Sequence, residues 1–273
     1  MKKKEKAQHG FTLTELVMVI VLLGIIGGVG GSFISEVFRG FADSDTRLQL
    51  YNEGKNALVR MERELHIMLP NAVCITSNGG LSCESDGTPG SEIRFGMILE
   101  DGMLSNNMVG RYNENPVDFP RTAPATLSDY NSGATPPAGG VVSLYNTNWN
   151  TFAGGSKLFT ITGVSANIMT FAGQTITGPS PQKRYYLVDR CVSYRWDSAA
   201  STLSRRVTGV SNAGAGSFSG VTAYPMAKNV DDFRFYYAAP SLTRNGIVSV
   251  VFNMRKNGQN VEMHKEIHVK NVP

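Results

Sequence analysis

The sequence predicts an α+β fold in which a long N-terminal helix packs on a C-terminal head of antiparallel β-sheet. Two patterns predict it: helical spacing of apolar residues continues up to Pro70, and short alternating strand patterns follow. We divide the 273 residues into a basic leader segment (1–10), a helix (11–69) and a β-rich head domain (70–273). The apolar fraction of 41% is sufficient for a packed core.

The first half of the predicted helix has the properties of a membrane span. Residues 11–34 read FTLTELVMVIVLLGIIGGVGGSFI, and Glu15 is their only ionisable side chain. A helix of this length spans about 36 Å, compared with about 30 Å of hydrocarbon in a bilayer. The positive-inside rule places residues 1–10 in the cytosol, and the chain that follows the span then lies on the opposite side of the membrane. It rests on four lysines: Lys2, Lys3, Lys4 and Lys6.

A secretory signal is the alternative interpretation of this segment, because residues 27–32 are rich in small residues, as a signal-peptidase site is. Two features count against it. The apolar run is long for such a signal, and it contains Glu15, whose carboxylate costs about 2.5–3.5 kcal/mol at the centre of a membrane helix. An acid in this place indicates a function that involves a partner.

The junction between leader and helix carries a specific motif, GFTLTEL, at residues 10–16. It resembles the type III signal of type IV pilins and type II secretion pseudopilins, and only Thr14 departs from the usual pattern, since the family has an apolar residue there. The resemblance implies that a prepilin peptidase cuts between Gly10 and Phe11 and N-methylates Phe11. It also implies that Glu15 pairs with the Phe11 amine of a neighbouring subunit during assembly, which relieves the cost of both buried charges.

The resemblance also implies a type IV pilin-like architecture, partners and location. The partners are prepilin peptidase, other major and minor pilins, and the inner-membrane pilus assembly platform. We expect a single-pass inner-membrane protein with a cytoplasmic N-terminus and a periplasmic head, which later enters a pilus. A cluster of glycines in the span is interpreted as a hinge or, equally, as a close helix-packing surface. These are Gly24, Gly27, Gly28, Gly30 and Gly31.

The size of the head favours a minor pilin over a major pilin. Three segments are similar to biogenesis proteins of the mannose-sensitive haemagglutinin (MSHA) pilus: RYYLVDRCVSY at 184–194, LTRNGIVSV at 242–250 and IHVKNVP at 267–273. We therefore expect a minor pilin of a type IV, MSHA-type pilus that takes part in assembly or its initiation. A J-type pseudopilin of a type II secretion system is the alternative, and a membrane-anchored enzyme is a more distant one.

Other functional classes find little support in the sequence. Residues 1–10 hold a net charge of +3 out of +4 for the whole chain, so the remainder lacks the basic face of a nucleic-acid binder. No nucleophile elbow, phosphate loop or metal-ligand spacing is present, so we expect no enzyme activity, cofactor or metal. Asp231 and Asp232 suit a calcium site, as in some secretion pseudopilins, but such a pair is more often a solvated turn.

Three cysteines occur in the head: Cys74, Cys83 and Cys191. Cys74 and Cys83 are close in sequence and flank Asn78-Gly79-Gly80, which can turn the chain, so we expect a disulfide between them in an oxidising compartment. It would stabilise the fold by about 2.5–3 kcal/mol and leave Cys191 unpaired. Three buried thiols are the alternative.

Strand patterns in the head are clearest near the C-terminus. Residues 248–254 and 261–269 alternate around an Asn257-Gly258 turn signal, which predicts a type I′ hairpin with Lys265 near a sheet edge. A second hairpin is predicted from 192–196 to 202–207, with further strands at 185–188 and 233–237. We interpret residues 101–181 as loops that decorate strands, and these loops are either a recognition surface or plain elaboration.

Overall fold

The computed structural model describes residues 10–77, 82–99, 109–128, 138–171, 173–240 and 245–269. The lysines of the leader, the Asn78-Gly79-Gly80 turn, residues 242–244 and the last four residues of the chain lie outside this part. The chain forms two compact units, Met1–Gln49 and Leu50–Pro273, which are described separately below.

Helix α1 spans Leu13–His66 and is about 81 Å long. Its end differs from the predicted one, because the helix stops at His66 and Met68 already begins the first strand. Pro70 disfavours helical geometry at Leu69, and both Met68 and Leu69 are buried when they are extended. Pro70 therefore lies inside a strand and does not follow the helix directly.

The described residues also contain a short helix, α2 (Trp149–Ala153), a 3₁₀ turn (Pro116–Asp118) and fifteen strands. The strands are β1 (Met68–Thr76), β2 (Glu92–Ile98), β3 (Val109–Arg111), β4 (Ala125–Ser128), β5 (Val141–Ser143), β6 (Leu158–Thr160), β7 (Gly163–Ser165), β8 (Ile168–Phe171), β9 (Arg184–Asp197), β10 (Thr202–Ser211), β11 (Gly214–Ala215), β12 (Tyr224–Lys228), β13 (Val230–Ala238), β14 (Gly246–Lys256) and β15 (Gln259–Val269). Every pair of strands is antiparallel, which confirms the predicted α+β class.

The largest sheet is built around the 14-residue strand β9. Its main order is β1-β2-β9-β10-β11, and β3 and β5 pair with the first half of β9. The predicted hairpin is confirmed as β9–β10, in which Trp196 lies opposite Leu203. Residues 185–188, predicted as a separate strand, belong to β9 itself.

A second sheet, β13-β14-β15, contains the predicted C-terminal hairpin. Asn257 and Gly258 both have positive φ angles, of 50° and 79°, as a type I′ turn requires. Lys265 lies in β15, an edge strand among the described residues, and its Nζ is 3.0 Å from Oε1 of Glu62 in α1. The prediction of an edge position for Lys265 is confirmed.

The last turns of α1 pack on these two sheets within the unit Leu50–Pro273. Helical spacing predicts an apolar stripe that includes Leu48, Tyr51, Leu58, Met61 and Leu65. The buried stripe differs from it, because Leu48 and Tyr51 are exposed. It includes small residues instead: a Cβ added to Gly54 would lie 2.7 Å from the side chain of Met263. Small residues allow close approach, and a pattern built on large apolar residues overlooks them. The buried small and apolar positions in this part of the helix are Leu50, Gly54, Ala57, Met61 and Leu65, and Glu64 is buried as well.

A third sheet, β4-β8-β7, corrects the interpretation of residues 101–181 as loops. Within the described part of this region, short strands surround a second core. Leu127 and Met169 are fully buried there and lie opposite each other across β4 and β8. These strands are only three or four residues long, so they give little periodic signal.

The cysteines follow the expected pattern. A disulfide joins Cys74 in β1 to Cys83, with their Cα atoms 5.2 Å apart, and this confirms the predicted pair. Cys191 in β9 is free and buried. Burial raises the pKa of the Cys191 thiol, which keeps it in its unreactive protonated form.

Candidate processing and assembly site

The predicted cleavage junction lies just before the first turn of α1. Gly10 and Phe11 are outside the helix, and Phe11 is 82% exposed. No described atom lies within 4 Å of a Cβ built on Gly10. A junction that is non-helical and exposed fits the extended, accessible backbone that a protease needs.

Thr12 fixes the start of the helix. Its hydroxyl accepts a hydrogen bond from the backbone N–H of Glu15 at 3.3 Å, and its carbonyl accepts from Leu16 at 3.2 Å. A threonine in this place satisfies an N–H group that has no partner within the helix. The motif residues Thr12 and Glu15 therefore define where the helix begins.

Glu15 lies in the first turn of α1 with an exposed side chain. A negative charge there is favoured by the helix dipole. The structure thus places Gly10, Phe11 and Glu15 within one short, exposed stretch. Its apolar continuation is exposed as well, from Leu16 to Ile34.

This apolar stretch is long and apolar enough to cross a membrane, and no part of its most apolar window is buried. The helix continues without a break through the cluster of glycines from Gly24 to Gly31. Gly30 lines a shallow apolar groove with Ile25, Ile26, Val29 and Phe33. The groove offers a surface for another apolar element, and both the hinge and the packing role of these glycines stay predictions.

Residues 6–30 match the prokaryotic N-terminal methylation motif, which is the motif of type IV prepilins. The motif indicates a type IV pilin-like protein. It implies processing by a prepilin peptidase and assembly with other pilins, and the apolar helix is consistent with an inner-membrane anchor. Pilin-like proteins are generally structural and not enzymatic. No curated protein and no solved structure gives a significant match to the chain.

The acidic pair considered for calcium takes part in ion pairs. Asp231 and Asp232 lie in β13, where Asp231 is 3.8 Å from Arg255 and Asp232 is 3.2 Å from Arg234. Because both residues belong to a strand, they are not in the turn that such a pair usually occupies. Within the described ranges, no group of three or more His, Cys, Asp or Glu side chains is arranged to hold a metal ion.

A buried polar contact at the end of α1 was not predicted. Glu64, only 4% exposed, accepts hydrogen bonds from the Tyr194 hydroxyl at 2.5 Å and from Arg205 Nε at 2.9 Å. Burial and the charge of Glu64 both raise the pKa of Tyr194. The available signal was Arg205, a charged residue on the apolar side of β10 between Leu203 and Val207. This contact ties the end of the helix to the head.

Proposed function

We propose that this chain is a minor pilin of a type IV, MSHA-type pilus, which takes part in pilus assembly or its initiation. The observation that carries the proposal is the methylation motif at residues 6–30, joined to an exposed apolar helix. The β-rich unit that follows the helix in the chain is longer than the head of a typical major pilin. The similarity of residues 184–194, 242–250 and 267–273 to the MSHA biogenesis protein MshO favours this kind of pilus.

The proposed mechanism begins with processing in the inner membrane. The cytosolic leader presents the exposed junction to prepilin peptidase, which cuts after Gly10 and N-methylates Phe11. The new Phe11 amine then pairs with Glu15 of an adjacent subunit. Because water is scarce among apolar helices, this attraction is strong, and it sets the axial register that apolar packing alone leaves free.

The remaining segments have separate roles in this proposal. The apolar part of α1 anchors the chain in one pass, with the head in the periplasm, and then packs among the helices of other major and minor pilins. The inner-membrane assembly platform receives the processed subunit. A J-type pseudopilin of a type II secretion system is the alternative, since the motif is shared by both machines.

The first test is the chemical structure of the mature chain. Intact-mass analysis of sheared filaments should find a chain that begins at N-methylated Phe11. A mature end near Ser32 would contradict the proposal, because it would show an ordinary secretory signal.

The second test separates the pilus from the secretion system. Deletion of the gene should reduce the number of filaments and leave type II secretion normal. Loss of secretion with normal piliation would favour the pseudopilin.

A further inference from the structure

Three neighbouring strands of the large sheet place a polar grid on one face. In β2, β9 and β10, register sets Arg94 opposite Ser193 and Ser193 opposite Arg206. The next row sets Glu92 opposite Arg195 and Arg195 opposite Ser204. Because alternate residues share a face, both rows point to the same side of the sheet, away from the core that α1 covers. The sequence showed no such grid, since its parts are about a hundred residues apart.

Glu92 organises the centre of this grid. It is fully buried, and it accepts hydrogen bonds from Arg94 Nε at 2.8 Å, Arg206 Nη2 at 2.6 Å and Ser193 Oγ at 2.6 Å. Burial raises the pKa of Glu92, but the bonds from Arg94 and Ser193 and the charges of both arginines outweigh it, so the pKa lies below its usual value. The carboxylate is therefore ionised and holds two guanidinium groups in place.

The grid has more positive charge than Glu92 neutralises. Arg195 also borders the site, and no described residue forms an ion pair with its side chain. The Nε atom of Arg206 is buried and has no hydrogen-bond partner among the described residues. Burial lowers the pKa of Arg206, and the positive charges of Arg195 and Arg94 lower it further. The charge of Glu92 raises this pKa, but the net shift is downward. Three arginines thus face one acid, which leaves an excess of two positive charges.

A cleft of about 510 Å³ opens over these arginines. The Phe218 ring closes one side, with its centroid 5.7 Å from Arg94 Cζ and 5.4 Å from Arg206 Cζ. Trp149 of α2 forms another part of the wall. Aromatic rings stacked on guanidinium groups hold them in fixed orientations.

The walls of the cleft are held together by close backbone contacts. Gly214 in β11 has a φ of 110°, and a Cβ there would lie 1.9 Å from the carbonyl oxygen of Ala153 in α2. Gly155 meets the same loop, since its Cβ would lie 2.3 Å from the carbonyl oxygen of Asn212. Only glycine permits these contacts. The cleft is therefore a built feature of the head and not a gap between loose loops.

We propose that this cleft binds a small ligand that bears an oxyanion, namely a carboxylate, sulfate or phosphate group. Guanidinium groups suit such ligands, because each is a planar fork whose N–H groups donate paired hydrogen bonds to two oxygens. The volume is that of a typical small-molecule site and fits a ligand the size of a sugar acid. Arg195 supplies the direct contacts, and Arg94 and Arg206 supply the positive field. The site is independent of the processing motif and adds a binding function to the head.

Calorimetric titration of the full-length chain in detergent, in a buffer free of sulfate and phosphate, tests the proposal. The probes are D-glucuronate, sodium sulfate and D-glucose as the neutral analogue. We expect both anions to bind and glucose not to bind. Arg195→Gln should weaken anion binding about tenfold, since a hydrogen bond to a charged group contributes this much. Arg195→Lys should retain part of the affinity because it keeps the charge.

Arg190→Gln is the matched control, because Arg190 is in the same strand, is paired with Asp189 and does not line the cleft. It should bind the anions like the wild type. Tighter binding of glucuronate than of sulfate would identify a sugar-borne group, and equal binding would identify a free anion; both outcomes support the site. The proposal is overturned if neither anion binds, if glucose binds as well as glucuronate, or if Arg195→Gln binds like the wild type.

Discussion

The hydroxyl of Tyr194 donates a hydrogen bond of 2.5 Å to the buried carboxylate of Glu64, and this joins the end of α1 to the C-terminal part of β9. Arg205 donates to the same oxygen at 2.9 Å. Glu64→Ala would leave Arg205 buried without its partner, which destabilises by about 3–5 kcal/mol. We expect this loss in urea denaturation of the full-length chain.

Glu62 offers a matched control two residues away in α1. Its partner is Lys265, and both side chains are partly exposed: 34% for Glu62 and 40% for Lys265. Exposed pairs contribute about 0–1 kcal/mol, so Glu62→Ala should have a small effect. Equal losses for the two variants would show that the Glu64 contact does not hold the helix to the head.

Glu92 makes the stability of the head depend on acidic pH. Its pKa in the folded chain lies below the ordinary value of 4.5, so the unfolded chain binds a proton first as the pH falls. The stabilisation is present above pH 4.5 and is lost as the pH falls through the folded-state pKa. Glu92→Gln should therefore be less stable than the wild type at pH 7, and the difference should narrow below about pH 4.5. Urea titrations from pH 7 downward measure this, with exposed Glu262→Gln as the control; a constant difference would contradict it.

The assembly role of Glu15 is tested by substitution in a strain that lacks the wild type. We expect Glu15→Ala and Glu15→Gln to insert and to be cleaved after Gly10, but to enter filaments poorly, because the neighbouring amine loses its partner. Glu15→Asp should be intermediate, since its side chain is shorter. The measurements are the cleaved fraction, the number of filaments and co-purification with other pilins. Thr14→Ala is the control, and normal piliation by Glu15→Ala would show that the acid has no role in assembly.

The cysteines should differ sharply in their chemistry. Non-reducing peptide mapping should recover Cys74 linked to Cys83, and an alkylating reagent should leave Cys191 unmodified until the chain unfolds, because the thiol is buried. Replacing both Cys74 and Cys83 by serine should lower the free energy of unfolding by about 2.5–3 kcal/mol. Recovery of Cys191 in a disulfide with either of the others would contradict this assignment.

Periodicity made the long elements of the fold predictable. The apolar run of α1 is identified by its length and composition, and the β14–β15 hairpin alternates along two 11-residue strands, so local sequence identifies both. The strands of the region 101–181 are stabilised by distant partners instead. Val142 of β5, for example, lies opposite Leu187 of β9, and no pattern in the local sequence predicts this pairing.

The same distinction applies to the functional residues. Gly10, Phe11 and Glu15 are neighbours in sequence, so a short motif revealed them, although their roles remain predictions. The arginine cleft combines residues of β2, β9 and β10 with Phe218. Only the register of three strands brings these side chains together, and the sequence contains no motif for them.

Lys265 affects whether the sheet edges of two identical chains can pair with each other. Among the described residues no strand pairs with the outer edge of β15, so a strand from another copy can add there. Lys265 points to the inner side of that strand, where Glu62 neutralises it. An added strand would have to leave room for this charged side chain and its partner, which discourages sheet-to-sheet addition. If helix packing concentrates copies of the chain, as proposed above, the Lys265–Glu62 pair opposes edge-to-edge aggregation of their heads.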